Sequence, residues 1–240
     1  MNLRPLPETF AETRDALHQI AFFALGPVRY QAVGRMGLQA APGGFGTPRF
    51  DGRIARVEGD TLVLEEPDRI ASQTITTVRA AAGFFGIDYR VDWFDGEFHD
   101  PLDPVDPDAP LPVDDPAARA LGQWFGFGTE VLERLRSRGN DDDDVSEVQL
   151  WPEHFDPATE MGDADLGQRA SYGASPGDGA HHEPYLFVAA WSEVHRSDPY
   201  WNDDAFNGAS LGFSELLASS DPVETGVEFL FEGYRILHST

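Results

Sequence analysis

Two stretches of this chain align without a gap. Leu38-Gln39-Ala40-Ala41-Pro42-Gly43-Gly44-Phe45-Gly46 sets against Val148-Gln149-Leu150-Trp151-Pro152-Glu153-His154-Phe155-Asp156, with Gln, Pro and Phe at identical spacing. The match falls at corresponding places in a doubled order, because each half reads helix, strand, Gly-rich loop, strand, helix. Such an order suggests an internal duplication. It constrains the chain to an α+β fold of two similar αββα-type halves that share an antiparallel or mixed sheet covered by helices. The halves are residues 1–86 and 115–240, joined by an acidic, proline-rich connection over 87–114 and packed as one compact unit. Where the first half has Ala41, Gly43, Gly44 and Gly46, the second has Trp151, Glu153, His154 and Asp156. If the same turn forms without those four side chains, the second half is the place to expect a site.

The elements are placed by periodicity and end signals. Thr9 and Glu12 have capping-box spacing, and Leu17, Ile20, Ala21, Ala24 and Leu25 follow at helical period, so a first helix should run to Gly26-Pro27. "RIARVEGDTLVLEE" reads as a hairpin turning at Glu58-Gly59-Asp60. Ile75, Val78, Ala82 and Phe85 share a helix face that Gly86 is placed to end. The segment from 87 to 115 carries five prolines among mostly acidic polar groups and reads as a solvated linker. Asp115-Pro116 and Asp221-Pro222 each pair a capping carboxylate with a proline at the first helical position. The helices they open present Leu121, Trp124, Phe125, Val131, Leu132 and Leu135, and then Val223, Val227, Leu230, Phe231, Tyr234 and Leu237, on one side. "SEVQLW" and "PYLFVAAW" read as strands of the second half.

Composition removes several classes of function. The formal charge is −25, from 17 cations against 42 anions, which repels nucleic-acid phosphates and anionic membrane surfaces and makes neither an expected partner. All 17 cations are arginine, so there is no lysine for a PLP Schiff base or for a P-loop nucleotide site. With no cysteine there is no disulfide, no thiolate nucleophile and no Cys-ligated metal. The N-terminus lacks a basic region followed by an apolar stretch, and "IAFFALGPV" is too short to span a bilayer, so a soluble cytoplasmic protein is expected.

"GASPG", Gly173 to Gly177, fits the G-x-S-x-G pattern, but Pro176 lacks the N–H that a nucleophile elbow uses as oxyanion donor, and no helix-forming sequence follows. A turn is expected there. "PGGFGTP" and "YGASPGDGAHHEP" lack the spacing of phosphate-binding loops. The remaining chemistry-bearing set is His154, Asp156, His181, His182, Glu183 and Asp203. On an extended segment His154 and Asp156 point to one face, and Glu183 would complete a site for a divalent metal, a three-ligand set His154, Asp156 and Glu183 of the kind that serves a metal-dependent hydrolase or lyase. Aromatic residues crowd the same region, as an organic-ligand pocket requires. The candidate ligand-binding residues are Trp151, Glu153, His154, Tyr172, Glu183, Tyr185, Trp201 and Asn202.

"LWPEHFD", "YGASPGD" with "EPYLFVAAW", and "DPYWND", together with "PGGFGTP" and "ITTVRAAAGF" in the first half, resemble a family of uncharacterised, largely actinobacterial proteins. The resemblance spans most of the chain and implies no activity, substrate or catalytic residue. The expected function is therefore a small-ligand-binding protein with its pocket in the second half. The alternatives are the metal-dependent enzyme and an acidic interaction or structural module that meets a basic partner.

Overall fold

A computed structural model of the chain describes residues 3–94, 96, 102–140 and 143–239. The fold is α+β, and its strands form two separate five-stranded antiparallel sheets rather than one shared sheet. The chain divides into two compact units. An N-terminal unit holds Leu6–Gln123 with Leu150–Phe155, and a C-terminal unit holds Met1–Pro5, Trp124–Gln149 and Asp156–Thr240.

In the N-terminal unit α1 (Phe10–Ile20) does not stop at Gly26-Pro27. It continues through a π-helical turn, Ala21–Leu25, into α2 (Gly26–Val33), which ends at Gly34 with φ 67°. Proline has no N–H to bond four residues back, and the wider π turn takes up that loss, with the Gly26 N–H reaching the Ala21 carbonyl. All five π-turn residues are buried. The expected capping box at Thr9 is absent. Its hydroxyl instead donates to Asp114 Oδ2 at 3.0 Å and makes no cap bond.

The strands β1 (Gln39–Ala41), β2 (Gly44–Gly46), β3 (Ile54–Glu58), β4 (Thr61–Glu66) and β5 (Arg69–Thr74) then form a meander in chain order. Part of the loop expected at "PGGFGTP" is thus a strand, and "RIASQT", which gave no strand signal, is the edge of the sheet. Helix α3 (Val78–Phe84) is capped by the Thr77 side chain, which accepts from Ala80 N, and Gly86 follows with φ 83°.

The segment after α3 is not a solvated linker among its described residues. Phe94 joins Phe22, Phe23 and Val78 in a buried cluster against which Tyr89, Trp93, Leu102, Val105 and Leu111 pack. Backbone bonds tie it down, from Arg79 N to Pro107 O and from Leu111 N to Thr76 O, both at 2.9 Å. Its charge hides an apolar residue every few positions, and those residues cover the π turn.

Helix α4 (Asp115–Arg136) begins one residue earlier than the proline signal implies, since the capping carboxylate is Asp114, which accepts from Ala117 N at 3.1 Å. Asp115 pairs with Arg119 instead. In the N-terminal unit Gly122 lies so close to β2 that a Cβ would come within 2.4 Å of Gly44 N.

The second sheet has the order β10-β9-β8-β7-β6. Its strands are β6 (Gln149–Trp151), β7 (Asp156–Met161), β8 (Ala170–Ser175), β9 (Tyr185–Ala190) and β10 (Gly208–Gly212). The short α5 (Phe213–Ala218) and α6 (Pro222–His238) follow, the latter capped by Asp221 as its sequence signalled. Side chains alternate across this sheet. Tyr172, Ala174, Leu186 and Val188 are fully buried on the helix side. There a Cβ on Gly128 of α4 would meet Ala174, and one on Gly226 of α6 would meet Leu186. The Trp124 indole donates to the Ala174 carbonyl at 3.2 Å. Ser171, Gly173, Ser175, Tyr185 and Phe187 face the other way.

Candidate functional site

The candidates divide between the two units. In the N-terminal unit, Trp151, Glu153 and His154 belong to a turn that differs from its proposed counterpart. Pro42-Gly43 make a two-residue hairpin turn, with Ala41 paired to Gly44 and φ 73° at Gly43. The second turn is longer. Phe155 N bonds to Trp151 O at 2.8 Å, and the positive φ falls on Phe155, at 57°. Phe155 stacks on the His18 ring, centroids 5.0 Å apart and nearly parallel, and meets Phe45 edge-on.

His18 holds this turn from below. Its Nε2 lies 2.9 Å from the Pro152 carbonyl and 3.0 Å from the Glu153 carbonyl. Both are acceptors, so Nε2 carries the proton and donates to them. Burial pushes the imidazole from its ordinary value near 6.5 down to about 4, although the two carbonyls favour the protonated ring. Above the turn His154 is exposed with its Nε2 3.8 Å from Glu153 Oε2, and Trp151 is partly exposed. The turn is thus fixed by backbone and aromatic contacts, with His154 and Trp151 left on its exposed side.

In the C-terminal unit, Tyr172 is buried on the helix side of β8, and its hydroxyl makes no hydrogen bond among the described residues. Burial pushes that phenol well above its usual range, with Tyr234 and Asp143 adding to the effect. Glu183 is exposed and accepts from Ser214 Oγ at 2.7 Å. Trp201 is buried, edge-on to Tyr200. Asn202 is exposed and bonded to the edge of β10, accepting from Ser210 N at 2.9 Å and donating to Ser210 O at 3.1 Å.

The proposed metal ligands lie in both units: Asp156 and Glu183 in the C-terminal one, His154 in the other. Among the described residues no group of three or more His, Asp or Glu side chains gathers as a metal-holding set.

What the C-terminal unit does assemble is a polar cluster on the sheet face turned away from the helices. Ser175 ends β8 directly opposite Tyr185, which begins β9. Asp156 shares that face, two residues before Ala158, which pairs with Gly173. The Tyr185 hydroxyl donates to Asp178 Oδ2 at 2.6 Å. The other oxygen of Asp178 accepts from the backbone N–H groups of Ala180 and His181, which folds the chain back over the face. His181 then lies against the Tyr185 ring, centroids 4.3 Å apart. Its Nε2 is 2.8 Å from Asp203 Oδ2, and its Nδ1 is 3.5 Å from Asp178 Oδ1. The Asp203 side chain is only 1% exposed, whereas that of His181 is 25% exposed. Phe187 and Phe206, edge to face, bound the cluster on its apolar side.

Electrostatics follow from this geometry. Burial alone would raise the Asp178 carboxyl, but the Tyr185 hydroxyl and two backbone N–H groups hold it below the usual carboxylate range. Burial and the bond to Asp178 push the Tyr185 phenol up, so it stays a donor. A carboxylate buried behind an imidazole fixes the orientation of the ring. The arrangement gathers two carboxylates and a phenol around one partly exposed imidazole, with the carboxylate oxygens engaged by the Tyr185 hydroxyl, the His181 ring and backbone N–H groups.

His181, Asp203 and Tyr185 were legible as candidates from the sequence, whereas Asp178 and Ser175 were not. The usable signal was the Asp178-x-x-His181 spacing, which lets an Asp side chain cap the N–H groups two and three residues on. A scan against protein-family models, a search of curated proteins and a search of solved structures each return no match to this chain.

Proposed function

We propose that the protein binds a small molecule bearing amino or hydroxyl groups on the outer face of the second sheet, at the cluster of Ser175, Asp178, His181, Tyr185 and Asp203. The observation that carries this reading is the convergence of a capped carboxylate, a buried carboxylate and a phenol on one partly exposed imidazole. Three separate segments supply the carboxylates and the phenol, "YGASPGD", "EPY" and "DPYWND", and His181 lies between the first two. A small-molecule site needs such a few convergent polar groups beside apolar walls, and Phe187 and Phe206 supply the walls.

The reading shifts the site expected from sequence away from the Trp151–His154 turn and keeps it in the second half. We further infer that the halves descend from a duplication. Each places a long helical stretch before a five-stranded meander and a helix after it, and the matched glutamines, Gln39 and Gln149, each begin the first strand of their sheet.

The test is a thermal-shift panel of amines, amino acids, sugars and nucleosides, followed by calorimetry on any compound that responds. A ligand at about 100 times its Kd adds roughly 2.7 kcal/mol to stability, well within reach of the measurement. One class should raise the melting temperature of the wild type, and the rise should shrink in Tyr185→Phe and in His181→Gln. Equal shifts in those variants, or no shift with any class, would sink the proposal.

A further inference from the structure

The strongest surface feature outside that cluster lies at another end of the same sheet. Trp191, immediately after β9, is 56% exposed, and Leu166, in the turn between β7 and β8, is 68% exposed. The two segments are neighbours: Trp191 N bonds to Arg169 O at 3.0 Å, and a Cβ on Gly167 would lie 3.3 Å from Ser192 Oγ.

The indole is not loose. Its Nε1 donates to Ser171 Oγ at 3.3 Å, and the Arg169 guanidinium covers one of its faces, 5.0 Å from the ring centroid. Arg169 is itself fixed by Glu160 at 2.7 Å, by Asp144 at 2.9 Å and by the Gly162 carbonyl at 3.2 Å. A large aromatic side chain is therefore held in one orientation while more than half of its surface remains in water. An aromatic plate of this kind costs little conformational entropy when a partner covers it, which is the property of interface anchors.

The surroundings indicate what would cover it. Asp163 and Asp165 share the turn with Leu166, Glu193 follows Trp191 by two residues, and the charge of Arg169 is already balanced by Glu160 and Asp144. Asp163 uses Oδ1 to hold the turn, accepting from Asp165 N and Leu166 N. The net local field is negative, as is that of the whole chain at −25.

We propose that this surface docks a basic segment of a partner protein, one with arginine or lysine side chains interleaved with apolar ones. A partner cation stacks on the open face of Trp191, apolar side chains cover Leu166, and further cations meet Asp163, Asp165 and Glu193. The proposal is independent of the small-molecule site, since no residue is shared.

The experiment uses the full chain and a fluorescein-labelled peptide of alternating arginine and leucine, with a glutamine-for-arginine peptide as control, read by anisotropy. The arginine peptide should bind, more weakly as salt is added, and the glutamine peptide should not. Trp191→Ala should weaken binding about tenfold, a hot-spot loss, while Trp151→Ala leaves it unchanged. The double variant Asp165→Asn, Glu193→Gln, which alters only exposed side chains, should weaken it less and flatten the salt dependence. Binding that Trp191→Ala does not change would mean that net charge alone attracts the peptide, and this, like the absence of binding, overturns the proposal.

Discussion

At the scale of single residues, His18 links the fold to pH. In the unfolded chain it titrates near 6.5 and in the folded protein near 4, because burial penalises the charged ring. Between those values the unfolded state holds the extra proton, so stability is full above pH 6.5 and is lost as the pH falls through 4. The loss amounts to about 3 kcal/mol at most, at roughly 1.4 kcal/mol per unit. Urea midpoints measured from pH 7 to pH 3.5 should fall along this course, and His18→Gln, which cannot ionise, should flatten it. The tyrosines give a second contrast. Tyr172 buries a hydroxyl that makes no hydrogen bond among the described residues, so Tyr172→Phe should leave stability unchanged or raise it by about 1 kcal/mol. Tyr185→Phe removes the donor to Asp178 and should cost about 1–2 kcal/mol in the same denaturation assay.

At the scale of elements, two glycines in helices separate close approach from conformational cost. A methyl at Gly122 would strike the backbone of Gly44, which cannot yield, so Gly122→Ala should lower stability by about 1–3 kcal/mol. Gly83 lies inside α3 with open space where its Cβ would be, so Gly83→Ala should raise stability by up to about 1 kcal/mol. Chemical denaturation of the two variants beside the wild type checks both signs. The same elements show what was readable in sequence. Asp221-Pro222, the helix that Gly86 ends and "YLFVAA" declared themselves because a cap, a stop or an apolar run is a local property. β8 ("ASYGAS") and β10 ("GASLG") did not, since small residues give little apolar contrast, and their burial comes from rings such as Phe187, which lies over Gly173. The π turn was hidden for a similar reason: Gly26-Pro27 ordinarily ends a helix, and only packing against residues such as Phe94 makes continuation favourable. In the cluster, Tyr185 and His181 stood out by type, whereas Asp178 gained its role from a fold-back that no periodicity marks.

At the scale of the whole molecule, a formal charge of −25 spread over 240 residues repels itself in the compact state. Screening shortens the reach of that repulsion from about 30 Å at 0.01 M salt to about 3 Å at 1 M. The melting temperature should therefore rise as sodium chloride is added from low concentration, and a flat or falling trend in calorimetry would show that the ion pairs lost to screening outweigh the repulsion relieved. Charge also bears on how copies of the chain behave together, but it does not act alone. Asn202 uses both ends of its amide on the Ser210 backbone, as one more residue of a neighbouring strand would. The edge of β10 is thereby occupied by the chain's own side chain, and a second molecule has less to template on. Asn202→Ala should keep its secondary structure yet scatter light at concentrations where the wild type stays clear, because an open edge recruits the strand of another copy alongside it and so seeds fibrils.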